Sequence, residues 1–316
     1  MSTVTESTDP DSDRDAHTER DYSTARERVL SQVRQSPLAM IGASIAVFLL
    51  LLTVVTLVDR HLLNRTLITT LLHDPYATHP ENRLQAPTLV HPFGTDEQGR
   101  DILVRVIYGA KTSVIVGVLS VTFASIVGVA IGSVSAYYGR IVDMAGMRLM
   151  DVLLSFPAIL LAIALMATLG RGLENIILAL GVVYVPTFAR VTRSEMLSQK
   201  EQEYADAARV VGYPDRNIIL KELLPNCLTP IIVQATFSIA LAIIAEAALS
   251  FLGLGVSPPT PTWGMMLSKG KPYITDAWWY MLFPGLAIMV TVLGFNLLGD
   301  SLRDALDPQE QGEGRI

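Results

Sequence analysis

The sequence predicts an all-α integral membrane protein with six transmembrane helices, and three observations carry that prediction. The 316 residues are 50% hydrophobic and only 17% charged, where an ordinary soluble domain is about 25% charged. Mean hydropathy is positive, +0.41. The 24 basic and 30 acidic residues leave six charge-free runs of helix length, at 35–58, 112–139, 152–170, 175–189, 223–245 and 277–299. A bilayer core offers no water to unpaired backbone groups, so such runs must satisfy their own N–H and C=O groups as helices. Soluble helices rarely stay apolar all round for so long, which excludes a soluble enzyme.

Residues 1–34 are rich in Ser, Thr and Asp with almost no large apolar side chains, and predict a disordered tail. The first apolar run begins too late, and is too long, for a cleavable signal peptide, so 35–58 is read as the first span and the insertion signal. Residues 59–111 form an outer segment too long for a simple connection. Pro75, Pro80, Pro87 and Pro92 rule out one continuous helix there, while 101–110 reads as a short helix leading into the second span.

The second span carries Ala124, Gly128 and Gly132 at four-residue spacing, which admits another helix backbone at close range. Pro157, Pro186, Pro230 and Pro284 lie inside the third to sixth runs and free carbonyls that neighbouring helices must cover. The fourth run covers only ~22 Å, so it recruits flanking residues such as Leu173 and Val191 or sits within protein. The charge-free stretch 247–268 fails as a span because Gly253, Gly255, Pro258, Pro259, Pro261 and Gly264 break it, and predicts a structured loop. The organisation expected is therefore a tail at 1–34, a first span at 35–58, an extracellular segment at 59–111, a five-helix core at 112–300 with a cytoplasmic loop at 190–222, and a second tail at 301–316.

Six spans put both termini on one side. With the N-terminus inside, the inner segments carry fifteen Lys and Arg and the outer segments nine, so both termini are predicted cytoplasmic in a multi-pass protein of the cell membrane. Cys227 is the single cysteine, which excludes an intramolecular disulfide. The five histidines lie outside the spans without metal-ligand spacing, so no metal site is expected.

Within 190–222, Tyr204, Ala207, Ala208 and Val211 fall at i, i+3, i+4 and i+7 and predict one small apolar helix face, with Glu201, Glu203, Asp206 and Arg209 elsewhere. Gly212 supplies the stop and Pro214 follows. Asp215 is placed to cap a second short helix, 216–224, ending at Pro225. An Ala-lined helix at a loop tip suits a groove in another protein; the plainer reading is a helix resting on lipid headgroups, for which Ala is a poor choice.

The run Asp206-Ala207-Ala208, then Gly212, then Leu224-Pro225 resembles the EAA loop of binding-protein-dependent ABC transporter permeases. It departs from the usual motif in having Asp206 for Glu, and Glu222 where an apolar residue is usual. Four further segments are similar to the second permease subunit of dipeptide and oligopeptide systems: His91 to Asp101 (HPFGTDEQGRD), Glu246 to Gly255 (EAALSFLGLG), Pro261 to Gly264 (PTWG), and Leu298 to Asp304 (LGDSLRD). The resemblance implies a type I importer (MetI-like) permease that forms half of a path for dipeptides or oligopeptides. Its implied partners are a second permease subunit, two ATP-binding subunits, an extracellular substrate-binding protein and the bilayer, with no nucleic acid.

The same resemblance assigns ATPase coupling to Glu203, Tyr204, Asp206, Ala207, Ala208, Arg209, Gly212, Leu224 and Pro225. No Gly-x-x-x-x-Gly-Lys-Ser/Thr loop occurs, so the chain is expected to be no enzyme and to bind no cofactor, with ATP and Mg on the partner subunits. Glu246 and Phe251 are candidates for the substrate path, since an ionisable group among apolar residues usually faces a cavity or a partner; pairing with an outer-loop Arg and capping of a helix end are the alternatives. Asp96, Arg100 and Trp263 are candidates for the binding-protein interface. Trp263, Trp278 and Trp279 also suit anchors at the headgroup level. Nickel or another small solute is the alternative cargo, and a stand-alone secondary transporter the alternative class, which would leave the loop at 201–222 without a role.

Overall fold

The computed structural model describes residues 36–61 and 72–306; the tail expected at 1–34, the end of the 301–316 tail and part of the outer segment lie outside the described residues. In chain order the helices are α1 (Pro37–His61), α2 (Ile102–Tyr138), α3 (Arg140–Leu154), α4 (Ala158–Leu169), α5 (Leu173–Lys200), α6 (Glu203–Val210), α7 (Leu228–Phe251), α8 (Trp263–Gly270) and α9 (Trp279–Leu306). Five of them, α1, α2, α5, α7 and α9, are long and apolar enough to cross a membrane, and α3 with α4 makes a bent pair that brings the number to as many as six.

Several boundaries move, each for a physical reason. The second span begins at Ile102 rather than after 111, because Asp101 caps the helix by accepting the Val104 N–H at 3.1 Å. The third span is not one straight helix. Ser155 and Pro157 end α3, and α4 leaves it at 89°. The fourth is longer than its charge-free run, since α5 takes in Leu173 and Val191 and continues to Lys200. Arg190 and Arg193 are accommodated by α3 carboxylates, Arg190 Nη2 lying 2.6 Å from Asp151 and Arg193 donating to both oxygens of Asp143 at 2.5 and 2.6 Å. The fifth span runs past Ala245 to Phe251, with Pro230 in its first turn. The stretch after it forms no span, as expected, but contains α8.

The core is centred on α2 and α5. A Cβ on Gly128 would lie 2.7 Å from the Val185 carbonyl, and one on Gly132 would lie 2.4 Å from that of Ala189, so the small residues of α2 set the distance of the α5 backbone. More than half of the apolar window of α5 is buried, 56%, against 28% for α1 and 22% for α9. The outer helices thus keep most of their apolar surface for lipid or another chain.

Candidate functional site: the coupling loop, the α2–α7 seam and the outer segment

At one end of α2 the chain leaves α5 and forms α6, which stops as the sequence predicts. Gly212 has φ +82°, its N–H binds the Arg209 carbonyl at 3.0 Å, and the Tyr213 N–H binds that of Ala208 at 3.1 Å. These two bonds close a Schellman stop, which needs a left-handed residue at its centre. The following segment differs from the expected simple helix. Short helical turns at Asp215–Asn217 and Leu224–Asn226 flank a π-helical stretch, Ile218–Leu223. Asp215 caps nothing; it accepts the Tyr137 hydroxyl at 2.7 Å. Pro225 sits within the last of these turns, so the helix does not end there.

The expected single face of α6 splits in two. Tyr204, Ala205 and Ala208 pack against the core with Met196, Ile218, Leu223 and Cys227. Ala207, Val210 and Val211 face outward, joined by exposed Tyr213 and Leu220. The inward side is fastened by polar bonds. The Tyr204 hydroxyl donates to Gln199 Oε1 at 2.7 Å and accepts from Asn226 Nδ2 at 3.3 Å, and burial pushes its pKa above the ordinary value, so it remains a neutral donor. Lys200 Nζ donates to the carbonyls of Ala136 and Tyr137 at 3.2 and 2.6 Å, placing a cation on the C-terminus of α2 where the dipole favours it. Asp206 and Arg209 pair with each other across one turn at 2.5 Å and stay near the surface. Glu203 is exposed, as is Pro225, while Leu224 is half-buried.

Glu246 lies in the seam between α7 and α2, fully buried. Ser113 Oγ donates to one carboxylate oxygen at 2.9 Å and Ser250 Oγ to the other at 2.7 Å. Its partners are therefore two hydroxyls, neither an outer-loop arginine nor a helix end. A buried carboxylate needs such donors, and the two hydroxyls supply one to each oxygen. Phe251, the last residue of α7, is half-buried.

At the other end of α2 the outer segment folds back on the bundle, and the three residues expected at a binding-protein interface are interior. Asp96 is 0% exposed and Arg100 9%. Their ion pair is 2.6 Å long, and Asp96 also accepts the backbone N–H groups of Gln98 and Arg100. Trp263 is 1% exposed and its indole N–H binds the Val106 carbonyl at 2.9 Å. Trp279 is likewise buried, with its N–H on the Thr95 carbonyl. Of the three tryptophans only Trp278 is exposed in the manner of a headgroup anchor.

Residues 128–311 match the family described as binding-protein-dependent transport system inner membrane component. The chain belongs to this family. The matched region begins inside α2 and takes in the coupling loop, Glu246 and α9. Among relatives, the chain is 51% identical over 232 residues to the dipeptide transport system permease protein of Alkalihalophilus pseudofirmus, covering 73% of this chain and 76% of that protein. It is 38% identical over 286 residues to a probable D,D-dipeptide transport system permease protein of Escherichia coli, covering 90% and 92%. It is 45% identical over 232 residues to a glutathione transport system permease protein of Escherichia coli, covering 73% and 77%. A chain of the methionine ABC transporter solved in inward-facing form superposes with a TM-score of 0.54 at 19% identity, covering 65% of this chain and 98% of that one, a likeness of fold. With these findings the protein is a multi-pass membrane permease component of the ABC importer type.

Sequence reasoning missed Tyr137, Gln199, Lys200, Asn226 and Ser113. Each lies outside the motifs, and several are separated from their partners by more than sixty residues. The one signal on offer was Lys200 just ahead of the loop helix, a cation with no acidic neighbour one turn back.

Proposed function

We propose that this chain is the transmembrane subunit of an ATP-driven importer for dipeptides or oligopeptides. Both termini face the cytoplasm, and α6 with the turn to 225 docks on a separate ATP-binding subunit that carries ATP and Mg. A second permease subunit completes the path, and an extracellular binding protein delivers the cargo. Support for peptide cargo comes from the relatives, whose names carry dipeptide, D,D-dipeptide and glutathione.

The observation that carries the coupling role is the two-sided construction of α6. Ala207, Val210, Val211, Tyr213 and Leu220 offer an apolar tip to another protein, while Tyr204 bonds the other side to Gln199 of α5 and to Asn226 in the turn before α7, and Lys200 at the end of α5 binds the C-terminus of α2. A push on the tip is thereby passed to the end of α5 and the turn before α7, and from Lys200 of α5 to the end of α2. ATP shifts the transport equilibrium only through contacts that differ between the two states, and this tip supplies such a contact. The test is co-purification of the ATP-binding subunit with Val210→Asp, and uptake by reconstituted vesicles with Gly212→Val. The first substitution is expected to lose the ATPase while the permease still inserts. The second is expected to leave ATP hydrolysis running without uptake. Normal association and uptake in both would sink the reading.

A further inference from the structure

Three residues of the outer segment that are far apart in sequence converge on one point. Asp101 Oδ2 lies 2.8 Å from His91 Nδ1 and 3.2 Å from His73 Nδ1, with the two imidazoles 4.7 Å apart between centroids. The other carboxylate oxygen is occupied by the Val104 N–H, which holds Asp101 as the cap of α2. His91 is fixed as well: its backbone N–H binds Thr88 Oγ1 at 3.0 Å, and its carbonyl accepts from Thr88 and Gly94. Two of the three donors are therefore positioned by the fold before any ligand arrives.

We propose that His73, His91 and Asp101 form a binding site for one divalent transition-metal ion, with zinc the ion that fits best. In the protein without metal, His91 Nδ1 is hydrogen-bonded to the carboxylate oxygen and His73 Nδ1 stands 3.2 Å from the same atom. One ion at this point would meet two imidazole nitrogens and one carboxylate oxygen. Ligand atoms around tetrahedral zinc stand about 3.3 Å apart, so the 2.8 and 3.2 Å separations need to open by only a few tenths of an ångström. The donor set is of borderline softness. Calcium and magnesium prefer oxygen ligands throughout, and imidazole with carboxylate suits zinc and its neighbours in the first row. Burial fixes where the fourth ligand sits: the His91 and Asp101 side chains are 7% and 2% exposed, whereas that of His73 is 42% exposed, so water completes the shell on the His73 side. The ion would staple the chain at residue 73 to the first turn of α2, independently of what the transporter carries.

The experiment uses the full chain purified in detergent through a tag free of histidine, dialysed against zinc and assayed for bound metal. One zinc per chain is expected, and cobalt in its place should give the visible absorption of a tetrahedral N/O site. His73→Ala should weaken zinc binding roughly 100-fold or more without moving the thermal midpoint measured in chelator, since the side chain is half-exposed. His79→Ala, which removes an exposed imidazole paired with Glu81, should leave affinity unchanged. Failure of the wild-type chain to retain zinc, or equal losses from His73→Ala and His79→Ala, would overturn the proposal.

Discussion

The two irregular regions at opposite ends of α2 solve opposite problems. The outer segment turns its charges inward: Asp96, Arg100 and Arg105 are all buried, Arg105 Nη1 binds the Pro75 carbonyl at 2.9 Å, and Tyr280 donates to Glu97. The coupling loop turns its charges outward and leaves Val210, Val211 and Tyr213 in the open. Buried ion networks are costly to build and costly to break, which suits a segment that must hold one shape. Exposed apolar residues on a well-fastened helix make sense only where another surface covers them. The difference is one of burial: the outer segment packs its charged motif residues inside, whereas the loop leaves apolar residues exposed, although both were marked by motifs of similar strength.

Two glycines put the comparison to its hardest test. Both have left-handed φ, +73° at Gly99 and +82° at Gly212. A Cβ at Gly99 would stand 1.8 Å from the His79 carbonyl oxygen, whereas one at Gly212 would meet nothing within 4 Å. Gly99→Ala is therefore expected to cost folded protein outright, read as loss of a monodisperse peak in detergent. Gly212→Ala should cost only the strain of the left-handed conformation, about 1–2 kcal/mol, read as a modest drop in thermal midpoint. Equal effects would erase the distinction between the regions.

The next largest effect is expected at Asp96. Asp96→Asn leaves Arg100 and Arg105 buried beside a neutral amide, and breaking one side of a buried pair costs about 3–5 kcal/mol. Asp206→Asn removes a carboxylate whose side chain is 70% exposed, and surface pairs of this kind contribute about 0–1 kcal/mol. Thermal unfolding of the two variants in one detergent checks the contrast; a larger loss from Asp206→Asn would reverse it.

How much of this was legible in the sequence follows from the range of the interactions. The spans of α1, α2, α7 and α9 were readable because a bilayer imposes length and apolarity locally. The stop at Gly212 was readable because a Schellman turn is made within six residues. The full length of α5 was not, because the rule that charges end a span ignores partners: Arg190 and Arg193 lie within the helix, paired with Asp151 and Asp143 of α3. Trp263 read as an interface residue since an indole suits a headgroup, and its interior place depends on a carbonyl 157 residues away. Glu246 was recognised as unusual, but Ser113 lies 133 residues distant. His73, His91 and Asp101 lack helical spacing because they come from a loop and a helix cap rather than one helix face. The face of α6 was half legible: periodicity gave the apolar residues, and only packing decided which of them point in.

A smaller effect is expected at the fastening of α6. Tyr204→Phe keeps the ring in the core and removes the hydroxyl bonds to Gln199 and Asn226, a loss of about 0.5–1.5 kcal/mol per bond. Uptake should fall more than stability if those bonds transmit force from the tip, measured as transport per ATP hydrolysed in vesicles. A change in stability with the ratio untouched would make Tyr204 a packing residue like those of the outer segment.

The smallest expected change is none at all, and it decides whether α6 moves alone. Cys227 joins the loop to α7; it is fully buried, and burial pushes its thiol up to about 11. The thiolate, the reactive form, is thereby disfavoured and the sulfur is enclosed, so a maleimide should label the native chain far more slowly than the unfolded one. If α6, the π-helical turn and α7 travel as one body, labelling stays equally slow while the assembled transporter turns over ATP. Labelling that accelerates with turnover would mean that the joint opens on each cycle, and the coupling loop would then be a hinge.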